Sequence, residues 1–200
     1  MEGINGLQAN SVEQHPLKPF LPEGCRLLML GSFPPAKKRW CMDFFYPNFN
    51  NDMWRIFGCV FFKDKNRLVD VEAKTFRREE IVALLNEKGI GLYDTACRVI
   101  RTKNTASDKD LKIVEQTDID ALLHRVPKCM AVVTTGQKAT DVMTGHFDMS
   151  MPKVGASSGF RFGEREMRLY RMPSSSRAYP MKTEEKAAFY ETMFRECGML

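Results

Sequence analysis

No C-x-x-C pair occurs in the 200 residues. The six cysteines, Cys25, Cys41, Cys59, Cys97, Cys129 and Cys197, stand far apart, which leaves zinc ribbons and local iron-sulfur ligation without support. Such thiols are expected to be reduced and mostly buried. Histidine is scarcer still. His15, His124 and His146 lie in unrelated surroundings, so neither a multi-histidine metal site nor a Ser-His-Asp triad is expected. No apolar run approaches the roughly 18 residues of a membrane-spanning helix. The polar start from Met1 to Gln14 lacks the basic, then greasy, profile of a signal peptide. A soluble, cytoplasmic protein is the expectation. Internal repeats, low-complexity blocks and domain linkers are missing too.

What is present is ordinary globular material: 44% hydrophobic and 28% charged residues, which excludes collagen-like and wholly disordered classes. The length suits one domain. A formal net charge of +5 mildly favours a polyanionic partner but names none.

Along the chain, residues 1–24, with Pro16, Pro19 and Pro22, read as an extended arm that wraps or frays, and 25–200 as a single domain. Short apolar runs at Arg26 to Leu30, Ile90 to Tyr93, Cys129 to Thr135 and Arg168 to Met172 read as strands. Helices are expected at Asn51 to Phe57, at Arg78 to Lys88 stopped by Gly89, and from a capping box at Thr117 to Asp120 through Val126. Two more are expected at Gly136 to Thr144 and Thr183 to Cys197. The basic stretch Arg98 to Lys112 reads as an exposed connection. Alternating strands and helices predict a three-layer α/β/α sandwich with a mainly parallel sheet and ligands beyond the strands' carboxyl ends. Ser32 to Asn50 is irregular yet rich in aromatics, a site candidate in itself.

Four segments follow strand ends: Gly31-Ser32-Phe33-Pro34, Gly91-Leu92-Tyr93-Asp94, Thr135-Gly136-Gln137-Lys138-Ala139 and Met172-Pro173-Ser174-Ser175-Ser176. In a parallel sheet they converge on one edge. Their order and spacing, with Phe44-Phe45-Tyr46-Pro47 and Asn51-Asp52-Met53-Trp54 between the first two, resemble the uracil-DNA glycosylase superfamily. The resemblance is greatest to its DNA-deoxyinosine branch and runs from about Arg26 to Phe194. It implies a monofunctional, cofactor-free and metal-free hydrolase acting on DNA with deaminated bases, hypoxanthine before uracil. A monomer is expected. Where most branches of the superfamily carry a catalytic Asp or Asn two residues after the first glycine, this chain has Phe33; the deoxyinosine branch shares that Phe and uses an asparagine whose counterpart here is Asn51, with Asn48 and Asn50 as alternatives.

The chemistry suits such residues. Base cleavage passes through an oxocarbenium-like sugar, so a neutral amide at Asn51 can hold the water while N–H groups near Ser32 and Phe33 meet charge on the departing base. Phe44 or Phe45 fits stacking on an extruded base, Phe44 matching the superfamily's position better. Trp54 and Phe57 suit the core. Asp94 is placed to read the base edge. The loop from Ser174 through Ser175 and Ser176 to Tyr179 can grip phosphates, and Arg177 or Tyr179 can fill the vacated stack. Lys37, Lys38, Arg39, Arg98, Arg101 and Lys103 can contact phosphates or form a solvated face. Blander roles stand beside these: helix cap for Asn51, core for either phenylalanine, and a cap on the N–H groups near Ala96 and Cys97 for Asp94. Two rival functions also remain, a catalytically silent DNA-lesion binding module and a small-molecule nucleotide or nucleoside hydrolase.

Overall fold

The computed structural model describes residues 11–103 and 108–200. In chain order its elements are β1 (Val12–Gln14), β2 (Leu27–Gly31), α1 (Met53–Phe57), the short strands β3 (Val69–Asp70) and β4 (Thr75–Phe76), α2 (Arg78–Lys88), β5 (Ile90–Asp94), β6 (Ala96–Arg101) and β7 (Leu111–Gln116). There follow α3 (Ile119–His124), β8 (Ala131–Thr134), α4 (Gln137–His146), β9 (Ala156–Phe162), β10 (Arg165–Arg171) and α5 (Thr183–Glu196).

The central sheet runs β5-β2-β8-β10-β9. Its first four strands are parallel, and β9 closes the edge as an antiparallel hairpin with β10. Every residue of β2 is buried, because both faces of the sheet are covered. Leu27 and Met29 enter one core with Trp54, Phe57, Ile81, Leu85, Tyr190 and Phe194 from α1, α2 and α5. Leu28 and Leu30 enter another with Ile119, Leu122, Leu123 and Met143 from α3 and α4. This is the α/β/α sandwich that the continuous apolar runs imply. Trp54 and Phe57 lie in its core. Gly89, with φ of +66°, ends α2 in the left-handed region that favours glycine.

Three features depart from the sequence reading. The stretch Arg98 to Lys112 is not an exposed connection: β6 and β7 pair antiparallel, and with β1 they make a second, three-stranded sheet. Val99 is buried there while Arg98 beside it is exposed, the alternation of a half-covered sheet. Second, β9 is an additional edge strand. Third, α3 is capped by Asp118, whose side chain accepts from the Ala121 N–H at 2.9 Å, rather than by Thr117, whose hydroxyl donates to the Asp94 carbonyl at 2.7 Å.

The described part of the arm lies along the sheets. Val12–Gln14 pairs with β6 and Phe20 bridges to Leu92 of β5; residues 1–10 lie outside the described residues. The six cysteines are unbridged, Cys25 and Cys129 buried and the other four half-buried. No helix among the described residues is long and apolar enough to cross a membrane.

Candidate active site

The carboxyl ends of β2, β5, β8 and β10 open on one cleft with a volume of about 130 Å³. Its walls include Gly31 to Pro35, Phe45 to Asn48, Asn50, Asn51, Asp94, Arg101, Thr135 and Ser174 to Ser176. Of the residues singled out in the sequence, the cleft therefore gathers Ser32, Phe33, Phe45, Asn51, Asp94, Ser174, Ser175 and Ser176, with Asn48 and Asn50. Phe44, Arg177 and Tyr179 are not among its walls.

Register places Asp94 there. Gly31 and Asp94 are paired across the ends of β2 and β5, and a Cβ on Gly31 would come within 2.3 Å of Asp94 Oδ1. Only glycine permits that approach. Asp94 does not cap the segment after it: the N–H groups of Thr95 and Ala96 donate to the carbonyls of Gly31 and Ser32. Its Oδ2 instead lies 2.8 Å from Nε2 of His15, a residue to which the sequence pattern assigns no role. Neighbouring Tyr93 has its phenol pushed up from its ordinary value, first by burial and then by Cys97 and Asp94.

The asparagine cluster sits opposite. Asn51 Oδ1 accepts from the Met53 N–H at 2.9 Å, so this side chain, one residue before the Asp52 N-cap position, holds the first residue of α1 while lining the cleft. A carbonyl oxygen has two lone pairs, and one remains. Asn48 Oδ1 accepts from the Asn50 N–H at 2.9 Å, and Asn50 Oδ1 accepts from Arg177 at 3.3 Å.

Backbone pairing fixes the serine loop to this cluster. Asn51 bridges to Ser176, and the Asp52 N–H donates to the Ser175 carbonyl at 2.8 Å. Beneath lies the Asp52 carboxylate, met by Arg177 at 2.9 Å, Lys186 at 3.6 Å and Arg55 at 3.9 Å. Lys186 also donates to the Ser176 carbonyl at 2.8 Å. Its side chain is fully buried; burial lowers its pKa, opposed by Asp52. Three cations against one carboxylate leave the loop on a positive base. Ser174 Oγ and Ser176 Oγ accept from the N–H groups of Ser176 and Ala178, each at 3.2 Å. Arg177 is thus folded onto Asp52 and Asn50.

Among the aromatics, Phe45 lines the cleft but Phe44 turns into the core, against Trp54, Phe20 and Phe45. Tyr46, to which the sequence pattern assigns no role, also lines the cleft, at a φ of +49°. That conformation is costly for an aromatic residue and recurs at working sites. Its hydroxyl lies 3.2 Å from Thr135 Oγ1. The sequence signal was its position inside the aromatic loop.

The surface cations divide. Arg101, a wall of the cleft, grips Glu13 of the arm through two bonds of 2.9 and 3.1 Å and donates to the Pro34 carbonyl. Arg98 pairs with Glu115, and Lys37 pairs with Asp43 while covering the Trp40 ring. Lys38, Arg39 and Lys103 are exposed. No group of three metal-ligating side chains converges among the described residues.

No family model and no curated protein matches the chain. Among solved structures it is similar to the solution NMR structure of a "putative Uracil DNA glycosylase" from Methanosarcina acetivorans, with a TM-score of 0.63 at 20% sequence identity. The match covers 94% of this chain and 99% of that one. At such identity the likeness concerns the fold, and the chain has the mixed α/β architecture of that protein, with a mostly parallel five-stranded sheet.

Proposed function

We propose that the protein is a monofunctional DNA glycosylase that hydrolyses the N-glycosidic bond of deaminated bases, hypoxanthine before uracil. It acts as a monomer in the cytoplasm without cofactor or metal. Residues 25–200 form the working domain and residues 1–24 a separate arm, whose described part from residue 11 onward is laid against that domain. The observation that carries the reading is the meeting of Asn51, Asp94 and the serine loop in one cleft at the carboxyl edge of a parallel sheet.

In this scheme an extruded base enters the cleft and stacks on Phe45 rather than Phe44. Ionised Asp94 accepts hydrogen bonds only, so it receives the ring N–H that hypoxanthine and uracil offer, and it opposes the bare ring nitrogen of adenine. The free lone pair of Asn51 Oδ1 holds water beside the sugar as oxocarbenium character develops. N–H groups at Ser32 and Phe33 stabilise charge on the leaving base. Ser174, Ser175 and Ser176, above the Asp52 cluster, grip phosphates. Arg177 and Tyr179 border the loop, and one of them fills the vacated stack, Arg177 only after leaving Asp52 and Asn50.

A panel of hypoxanthine, uracil and xanthine in single and double strands tests this reading, with base release as the readout. Hypoxanthine release is expected to be fastest. The bond from Met53 to Asn51 favours one rival, a silent lesion-binding module, which would bind these strands and release nothing. Binding that falls steeply with salt disfavours the other rival, a small-molecule hydrolase.

A further inference from the structure

We propose that His15, carried in by the arm, is a positioning residue that fixes which oxygen of Asp94 meets the base. The inference rests on the reading of Asp94 as base reader. His15 Nε2 lies 2.8 Å from Asp94 Oδ2, and the imidazole is only 2% exposed. Its ring packs against Phe33, Tyr93 and Phe45 at centroid distances of 5.3, 4.7 and 6.4 Å. Two of these, Phe33 and Phe45, are walls of the cleft.

The ring is also held from behind. Nδ1 lies 2.8 Å from the Leu17 carbonyl and 3.1 Å from the Leu17 N–H, so it finds a partner whether it carries a hydrogen or not. The arm itself is fixed by the His15 N–H donating to the Cys97 carbonyl at 2.8 Å and by Glu13 on Arg101. With Nε2–H on Oδ2, the other oxygen, Oδ1, is the one that lies over Gly31, and Gly31 and Asp94 both line the cleft. A lone aspartate can rotate and swing. Pinned by His15, it presents one acceptor in one place, which is what discrimination between a ring N–H and a ring nitrogen requires.

The test compares single-turnover release of hypoxanthine and adenine from matched duplexes by wild type, His15→Phe, His15→Gln and Asp94→Asn. Phenylalanine keeps the ring contacts and loses the donor; glutamine loses the ring and keeps a donor at similar reach. His15→Phe is expected to narrow the hypoxanthine-over-adenine ratio about tenfold, the worth of one orienting hydrogen bond, and His15→Gln to restore most of it. In an Asp94→Ala background His15→Phe should change nothing further. If Asp94→Asn narrows the ratio while His15→Phe does not, the inference falls and Asp94 remains the reader. Equal loss in His15→Phe and His15→Gln, tracking melting temperature, also overturns it, because packing alone then explains His15. An unchanged ratio in Asp94→Asn removes the base-reader reading itself.

Discussion

A Cβ on Gly31 would lie 2.3 Å from Asp94 Oδ1, in register across the ends of two parallel strands. The first motif glycine thus makes room for a carboxylate delivered by the second motif. Gly31→Ala is expected to push Asp94 aside, at a cost of about 1 to 3 kcal/mol in stability, and to remove base discrimination. Thermal melts and release assays on the variant check both. Wild-type discrimination with an alanine in place would mean that Asp94 does not face the base.

Asp94→Asn separates reading from support. With His15 bonded to the amide oxygen, the amide NH₂ would face the cleft and could donate to adenine's ring nitrogen. Relative to wild type, hypoxanthine-over-adenine selectivity should fall by roughly tenfold to a hundredfold, with the melting temperature nearly unchanged. Selectivity that holds while stability drops would make Asp94 structural.

Replacing Ser174 and Ser176 together by alanine should weaken binding to all duplexes alike, since phosphate contacts position but do not read sequence. Titration of damaged and undamaged duplexes measures this. A changed base preference at constant affinity would place these hydroxyls in the base pocket instead.

Lys186 joins α5 to the serine loop. Lys186→Met strands the Ser176 carbonyl and takes one cation from Asp52, with an expected loss of about 1 to 3 kcal/mol. Burial holds the ammonium below its ordinary value of 10.5. Between the lowered value and 10.5 the unfolded chain binds more protons than the folded one, so Lys186 contributes more stability as pH rises through that window. The melting-temperature advantage of wild type over Lys186→Met should therefore grow as pH rises toward 10.5. A gap that shrinks there contradicts the burial.

The sandwich was legible because its strands are buried on both faces and read as continuous apolar runs such as Leu27 to Leu30. The cleft followed from strand order. Less legible was the hairpin of β6 and β7, where charged residues alternate with Val99 and Ile113 and imitate a solvated connection. The edge strand Ala156–Phe162 has only Phe160 buried and gave little signal. Long-range pairings were out of reach: His15 meets Asp94 across 79 residues and Arg101 meets Glu13 across 88. Neither pairing leaves a local pattern. The direction in which Phe44 turns was set by packing against Trp54 and Phe20, which spacing from Pro47 does not encode.

The most direct test is single-turnover release of hypoxanthine from a labelled duplex by wild type and Asn51→Ala, with duplex affinity and thermal melts measured beside it. Wild type is expected to release the base. Asn51→Ala is expected to lose most of that rate at little change in affinity, because a water-holding amide acts mainly in the transition state. The melt accounts for the lost hydrogen bond from Met53 to Asn51, worth about 0.5 to 1.5 kcal/mol. No release by wild type that binds the duplex tightly would contradict the account, and full release by Asn51→Ala would move the catalytic amide to Asn48 or Asn50.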